Sequence, residues 1–212
     1  MSDRNPAAGR HAVHIGAQAY AGQRIGLLGG SFNPAHEGHL YISEEALKRL
    51  RLDAVWWLVS PQNPLKPSAG MAAYADRLAA ARHVARHPRI RVTDIERRLG
   101  TSYTADTLDA LVCRYPAARF VWLMGSDNLA QLPEWRRWKS IVDSVAIAVF
   151  ARKPYDFGAL AGLAASRYAS ARLSDGGATT LIDRQPPVWL FLPLRRHPAA
   201  ATDLRAAGAW PI

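Results

Sequence analysis

The alternation of short, continuously apolar runs with amphipathic stretches predicts a single α/β domain built on a doubly wound parallel sheet. Three observations carry this. Each apolar run is strand-sized, each intervening stretch has a helical spacing of apolar residues, and the first run ends in two glycines directly before a helix start. At 212 residues and 49% hydrophobic composition the chain suffices for one well-buried domain and is short for two.

Residues 1–23 hold alanine, glycine and polar residues without a period, so they read as a disordered leader before a domain spanning 24–212. Ile25 to Leu28 is a strand closed by Gly29 and Gly30, and Leu40, Leu47 and Leu50 mark a helix over His39 to Leu50. A buried strand is expected at Ala54 to Ser60, then a proline-rich loop from Pro61 to Pro67 and a helix from Tyr74 to His87. Ile90 to Val92 forms the next strand. Thr101 or Ser102 is expected to cap a helix whose Leu108, Leu111, Val112 and Tyr115 share one face. Phe120 to Met124, Val145 to Phe150 and Val188 to Leu192 complete the strands. Right-handed crossovers place the helices on both faces, which makes the sheet Rossmann-like, with ligands beyond the carboxyl ends of its strands.

Composition narrows the function. No run reaches the roughly 18 to 20 apolar residues needed to span a bilayer, and the N-terminus lacks a signal-peptide pattern, so the reading is a cytoplasmic protein without a membrane partner. Cys113 is the only cysteine, which excludes an internal disulfide and a multi-cysteine metal site; its apolar neighbours predict a packed thiol. The net charge of +10 is mostly arginine, dispersed among acidic residues with no run of five like charges. That argues against a polynucleotide partner and fits an anionic small substrate equally well.

The chemistry concentrates in Gly29, Gly30, Ser31, Phe32, Asn33, Pro34, Ala35, His36, Glu37, Gly38 and His39. Two glycines after a strand allow close approach to phosphate, and the helix behind them presents free N–H groups and a positive dipole end. His36 and His39 are three apart, so they share the face of the first turn and reach one ligand. A metal site is the other use of a histidine pair, but no cysteines or carboxylates stand near in the sequence to complete it. The pattern is neither the dinucleotide fingerprint nor a P-loop.

Gly-Gly-Ser-Phe-Asn-Pro-x-His-x-Gly-His resembles the first signature of the nucleotidyltransferase superfamily that includes nicotinate-nucleotide, phosphopantetheine and glycerol-phosphate nucleotidylyltransferases. Asn33 stands where Asp is more usual. Ser102 to Leu108 (Ser-Tyr-Thr-Ala-Asp-Thr-Leu), the Gly125, Asp127, Leu129, Leu132, Trp135 series and Pro61 to Lys66 are similar to motifs of the nicotinate-nucleotide adenylyltransferases. Thr202 and Arg205 match a later triphosphate-gripping element in which Ala200 replaces a serine.

The resemblance implies adenylyl transfer from ATP to nicotinate mononucleotide, with magnesium on the triphosphate. It implies transition-state charge stabilisation by His39, His36, Lys66 and Arg205. ATP contacts fall on Gly29, Gly30, Ser31, Phe32, His36, His39, Gly125, Asp127, Thr202 and Arg205. Acceptor contacts fall on Asn33, Lys66, Ser102, Tyr103, Thr104, Asp127, Trp135 and Arg152. Each has a plainer alternative: Ser102 and Thr104 as helix caps, Asp127 as a cap, Trp135 with Trp138 as core on one helical turn, Lys66 and Arg152 as solvated charges. Another adenylyltransferase of the superfamily, with a phosphopantetheine or nicotinamide mononucleotide acceptor, or a non-catalytic nucleotide binder, are the rival readings.

Overall fold

A computed structural model describes residues 20–61, 70–151 and 156–194. The elements run β1 (Arg24–Gly30), α1 (Glu37–Arg49), β2 (Ala54–Val59), α2 (Tyr74–Val84), β3 (Ile90–Thr93), α3 (Ile95–Leu99), α4 (Thr104–Arg114) and β4 (Arg119–Gly125). They continue with α5 (Ser126–Gln131), α6 (Trp138–Ser144), β5 (Ala146–Phe150), α7 (Asp156–Leu160), α8 (Leu163–Arg167), β6 (Arg172–Leu173) and β7 (Trp189–Leu192).

All pairings are parallel, in the order β3-β2-β1-β4-β5-β7-β6. The chain builds outward from β1 to β3 and then returns to lay β4 on the other side of β1. That reversal opens a crevice at the carboxyl ends of β1 and β4, the place where such sheets bind ligands.

Successive strand residues enter opposite layers, because side chains alternate across a strand. Trp56 and Leu58 join Ile25, Leu27, Trp122, Leu108 and Leu111 on one face. Trp57 and Val59 join Leu28, Leu47, Leu50 and Leu123 on the other. Both faces are thus buried, which is why the strands read as unbroken apolar runs.

Several details depart from the sequence reading. Tyr20, assigned to the leader, is buried edge-on against Trp56 and Tyr115 at centroid distances of 5.0 and 5.5 Å, and its hydroxyl accepts from Arg91. An aromatic ring supplies enough apolar area to anchor a segment that otherwise has no period. Val112 and Cys113 are exposed, not packed, because α4 buries the stripe of Ala105, Thr107, Leu108 and Leu111, and the next two positions rotate off it. Neither Thr101 nor Ser102 caps α4. Its N-cap is Tyr103, which makes no side-chain cap bond, while the Thr101 hydroxyl bonds Thr107 at 2.8 Å. Trp135 and Trp138 do not share a continuous helical turn, since Trp135 is extended and Arg137 is left-handed at φ 54°.

Candidate active site

Gly29 and Gly30 are the last two rungs of β1, paired with Leu58 and Val59, so they belong to the strand and not to the turn after it. A Cβ on Gly29 would lie 2.4 Å from the Trp122 ring; on Gly30 it would find only ordinary contact with Phe32 at 3.6 Å. Gly29 is therefore required by packing against β4, and Gly30 is the position where a bare backbone faces the crevice without a steric reason. The chain turns at Phe32, a non-glycine residue with φ 48°. That conformation is held by burial, because the Phe32 ring stacks on Trp57 at 5.0 Å and meets His39 at 4.8 Å. Phe32 reaches the site through its backbone; its side chain is a support beneath His39.

His36 is the N-cap of α1. Its Nδ1 accepts from the Gly38 N–H at 3.1 Å, and its own N–H donates to Nδ1 of His39 at 3.2 Å, a reciprocal capping box built from two imidazoles. The rings lie 3.9 Å apart. Each Nδ1 receives a backbone N–H, which in a neutral ring places the proton on Nε2, at the dipole end of a 13-residue helix. Beneath them the Trp57 indole donates to Ser43 Oγ at 2.8 Å, and that hydroxyl donates to the His39 carbonyl at 2.8 Å. Ser43 and Trp57 are buried and fix the helix start from behind. A serine inside a helix gives no outward sign of such a role.

Across the crevice, Gly125 is the N-cap of α5 and Asp127 lies in the first turn of that helix, at the carboxyl end of β4. Trp135 is half-buried and meets Trp122 edge-on at 6.5 Å, so contacts run from Gly29 through Trp122 to Trp135. The guanidinium of Arg136 sits over the Tyr103 ring at 4.6 Å, and Asp106 pairs with Arg136 and Arg137 at 3.5 and 3.1 Å. These contacts join the Ser102–Tyr103–Thr104 segment to the Trp135 segment. Ser102 and Tyr103 are exposed and Thr104 is partly so.

Behind that segment Glu96 is buried. Desolvation pushes its carboxyl up to about 7 against a hydrogen bond from Thr107, at 3.3 Å, that pulls the other way. Asn33 donates to the Gly70 carbonyl at 3.1 Å and accepts from the Ala72 N–H at 3.0 Å, so much of its hydrogen bonding serves the backbone of residues 70–72. Lys66, Arg152, Ala200, Thr202 and Arg205 lie outside the described residues, as do residues 1–19. Arg77, Trp122, Arg136, Ser43 and Glu96 were missed by sequence reasoning. An arginine on an amphipathic helix normally reads as a solvated charge, and tryptophan in a strand as core.

An open parallel sheet with a two-histidine helix start at its switch point is the architecture of a nucleotide-binding α/β enzyme, and the relatives of the chain place it among the nucleotidyltransferases. Residues 27–207 match the Cytidylyltransferase-like family. The chain is 52% identical over 191 residues to the "Probable nicotinate-nucleotide adenylyltransferase" of Parvibaculum lavamentivorans, covering 90% of this chain and 95% of that one. It is 54% identical over 186 residues to the protein of the same name from Cereibacter sphaeroides, covering 88% and 98%. The Plasmodium falciparum nicotinic acid mononucleotide adenylyltransferase complexed with NaAD shares the fold at a TM-score of 0.64 and 14% identity, over 87% of this chain and 83% of that one. The chain belongs to the nicotinate-nucleotide adenylyltransferase family.

Proposed function

We propose that this chain transfers the adenylyl group of ATP to nicotinate mononucleotide, forming nicotinate adenine dinucleotide and pyrophosphate in NAD biosynthesis. The observation that carries the reading is the crevice at the carboxyl ends of β1 and β4, with the two-histidine helix start on one side and the start of α5 at Gly125 on the other. A phosphate oxygen of the acceptor attacks the α-phosphorus of ATP in line. The bond from that phosphorus to the bridging oxygen breaks, and its electron pair leaves with pyrophosphate. No covalent enzyme intermediate is needed, because the acceptor phosphate is already a nucleophile and the work is positioning and charge stabilisation.

His39 and His36 supply Nε2–H donors to the triphosphate at the positive dipole end of α1. Thr202 and Arg205 complete the triphosphate contacts, while Lys66, which also stabilises the developing charge, and Arg152 are assigned to the acceptor. Trp135 stacks on the pyridine ring, and Ser102, Tyr103 and Thr104 bind the acceptor at the start of α4. Asp127 contacts ribose or a phosphate-bound cation. Among the described residues no cluster of three or more ligating side chains stands ready for a cation, so magnesium would be held chiefly by the triphosphate and water, with Asp127 as the carboxylate assigned beside them, and would neutralise charge on the leaving phosphates. No described helix is long and apolar enough to cross a membrane. The cytoplasm, where both substrates are found, is the compartment we assign.

The test is pyrophosphate release from ATP with nicotinate mononucleotide, nicotinamide mononucleotide or phosphopantetheine offered in turn. Release with the first is expected. Release with none would reduce the chain to a nucleotide binder.

A further inference from the structure

We propose that Arg77, with Asn33, is a positioning residue of the active site: the pair clasps the ATP turn to the carboxyl end of β2, and so sets the spacing between the two nucleotides. This rests on the reaction proposed above.

Arg77 is 1% exposed, yet among the described residues the hydrogen bonds of its guanidinium run to backbone carbonyls alone. Nη1 donates to Ser31 at 2.6 Å and Ser60 at 2.8 Å, Nη2 to Pro61 at 2.8 Å and Nε to Ala72 at 3.1 Å. The Tyr74 ring covers it at 5.4 Å. Burying a cation without a carboxylate is costly, and burial lowers the pKa of this guanidinium. The cost is offset by what one rigid fork of donors can reach. Ser31 follows the last residue of β1 and Ser60 the last of β2, so their carbonyls lie just past the final ladder bond, from Ser60 N–H to Gly30 at 2.9 Å. Beyond that bond the chain leaves β1 for the turn at Phe32 and leaves β2 at Pro61, and the guanidinium ties the two exits together.

Asn33 completes the clasp from within the turn by holding Gly70 and Ala72. It needs one donor and one acceptor, and only an amide provides both; an aspartate would set a negative charge against the Gly70 carbonyl. That accounts for Asn at a position where the signature usually carries Asp.

Loosening the clasp spoils alignment more than binding, so it lowers turnover in the ternary complex while leaving each nucleotide's own affinity nearly intact. Arg77→Lys keeps the charge but cannot bridge the four carbonyls, and Asn33→Ala removes the second half without uncovering a buried charge. In the full-length chain both are expected to lower kcat roughly 10- to 100-fold, with ATP affinity measured alone, and KM for the acceptor, within about threefold of the parent. The parent's own activity checks the reaction; the ratio of variant to parent checks the clasp. If Arg77→Lys fails to fold, Asn33→Ala decides alone. Unchanged kcat per folded molecule with only a lower unfolding midpoint would make the pair merely structural, and a rise confined to acceptor KM would make Asn33 a substrate contact; either result overturns the proposal.

Discussion

The imidazoles of His36 and His39 hold one another in place: the backbone N–H of His36 donates to the ring of His39, while the His36 ring accepts from the N–H of Gly38, and the rings stand 3.9 Å apart. Helix cap and proposed catalytic donor are therefore the same pair of side chains, and the two roles can be separated by substitution.

We predict that His39→Ala loses about 100-fold or more in kcat, since it removes a preorganised donor at the developing charge. Steady-state pyrophosphate release with a parallel circular-dichroism melt checks it. Near-normal turnover of folded protein would remove His39 from the transition state.

For His36 the expectation is a split between stability and rate. His36→Asn should restore the cap, and His36→Ala should lower stability by roughly 0.5–2 kcal/mol, seen as an unfolding midpoint about 1–8 °C lower. Both should be slow, because neither provides the second Nε2–H. If His36→Asn recovers full activity, His36 is a cap and nothing more.

The two glycines ending β1 should behave differently. Gly29→Ala drives a methyl into the Trp122 ring and is expected to destabilise by roughly 1–3 kcal/mol or more, measured by denaturant midpoint. Gly30→Ala meets only ordinary contacts, so it should fold like the parent and instead raise KM for ATP. Equal stability of the two variants would contradict the packing described for Gly29.

Glu96 predicts a pH dependence. Its folded carboxyl titrates near 7 against an ordinary 4.5, so the folded state binds the proton more tightly than the unfolded. The contribution is full below about 4.5 and is lost as pH rises through about 7, roughly 2–4 kcal/mol in total. Glu96→Gln should lack this slope. Unfolding midpoints from pH 5 to 8 that fall in parallel for variant and parent would rule it out.

Much of the fold could be read in advance because burial on both faces writes itself as continuous apolar runs. Trp56 and Trp57, adjacent in sequence and opposite in space, show the reason: the parallel sheet leaves neither face polar. The phosphate turn was equally visible, since glycines, histidines and a helix start are local features. What escaped depended on distant partners. Tyr20 gains its burial from Trp56 and Tyr115, Arg77 its acceptors from three separate segments, and Ser43 its role from an indole on β2. Val112 and Cys113 failed for a local reason, a rotation of the apolar stripe by a fraction of a turn.

The outward placement of Cys113 has a practical side. As the one thiol of the chain, near the end of α4 and nine residues along the helix from Thr104, it lies about 14 Å from the start of that helix. A maleimide dye placed there needs no prior removal of other cysteines. It would ride on the same helix whose first residues are proposed to meet the acceptor, while standing clear of them, and so could report docking as a change in emission.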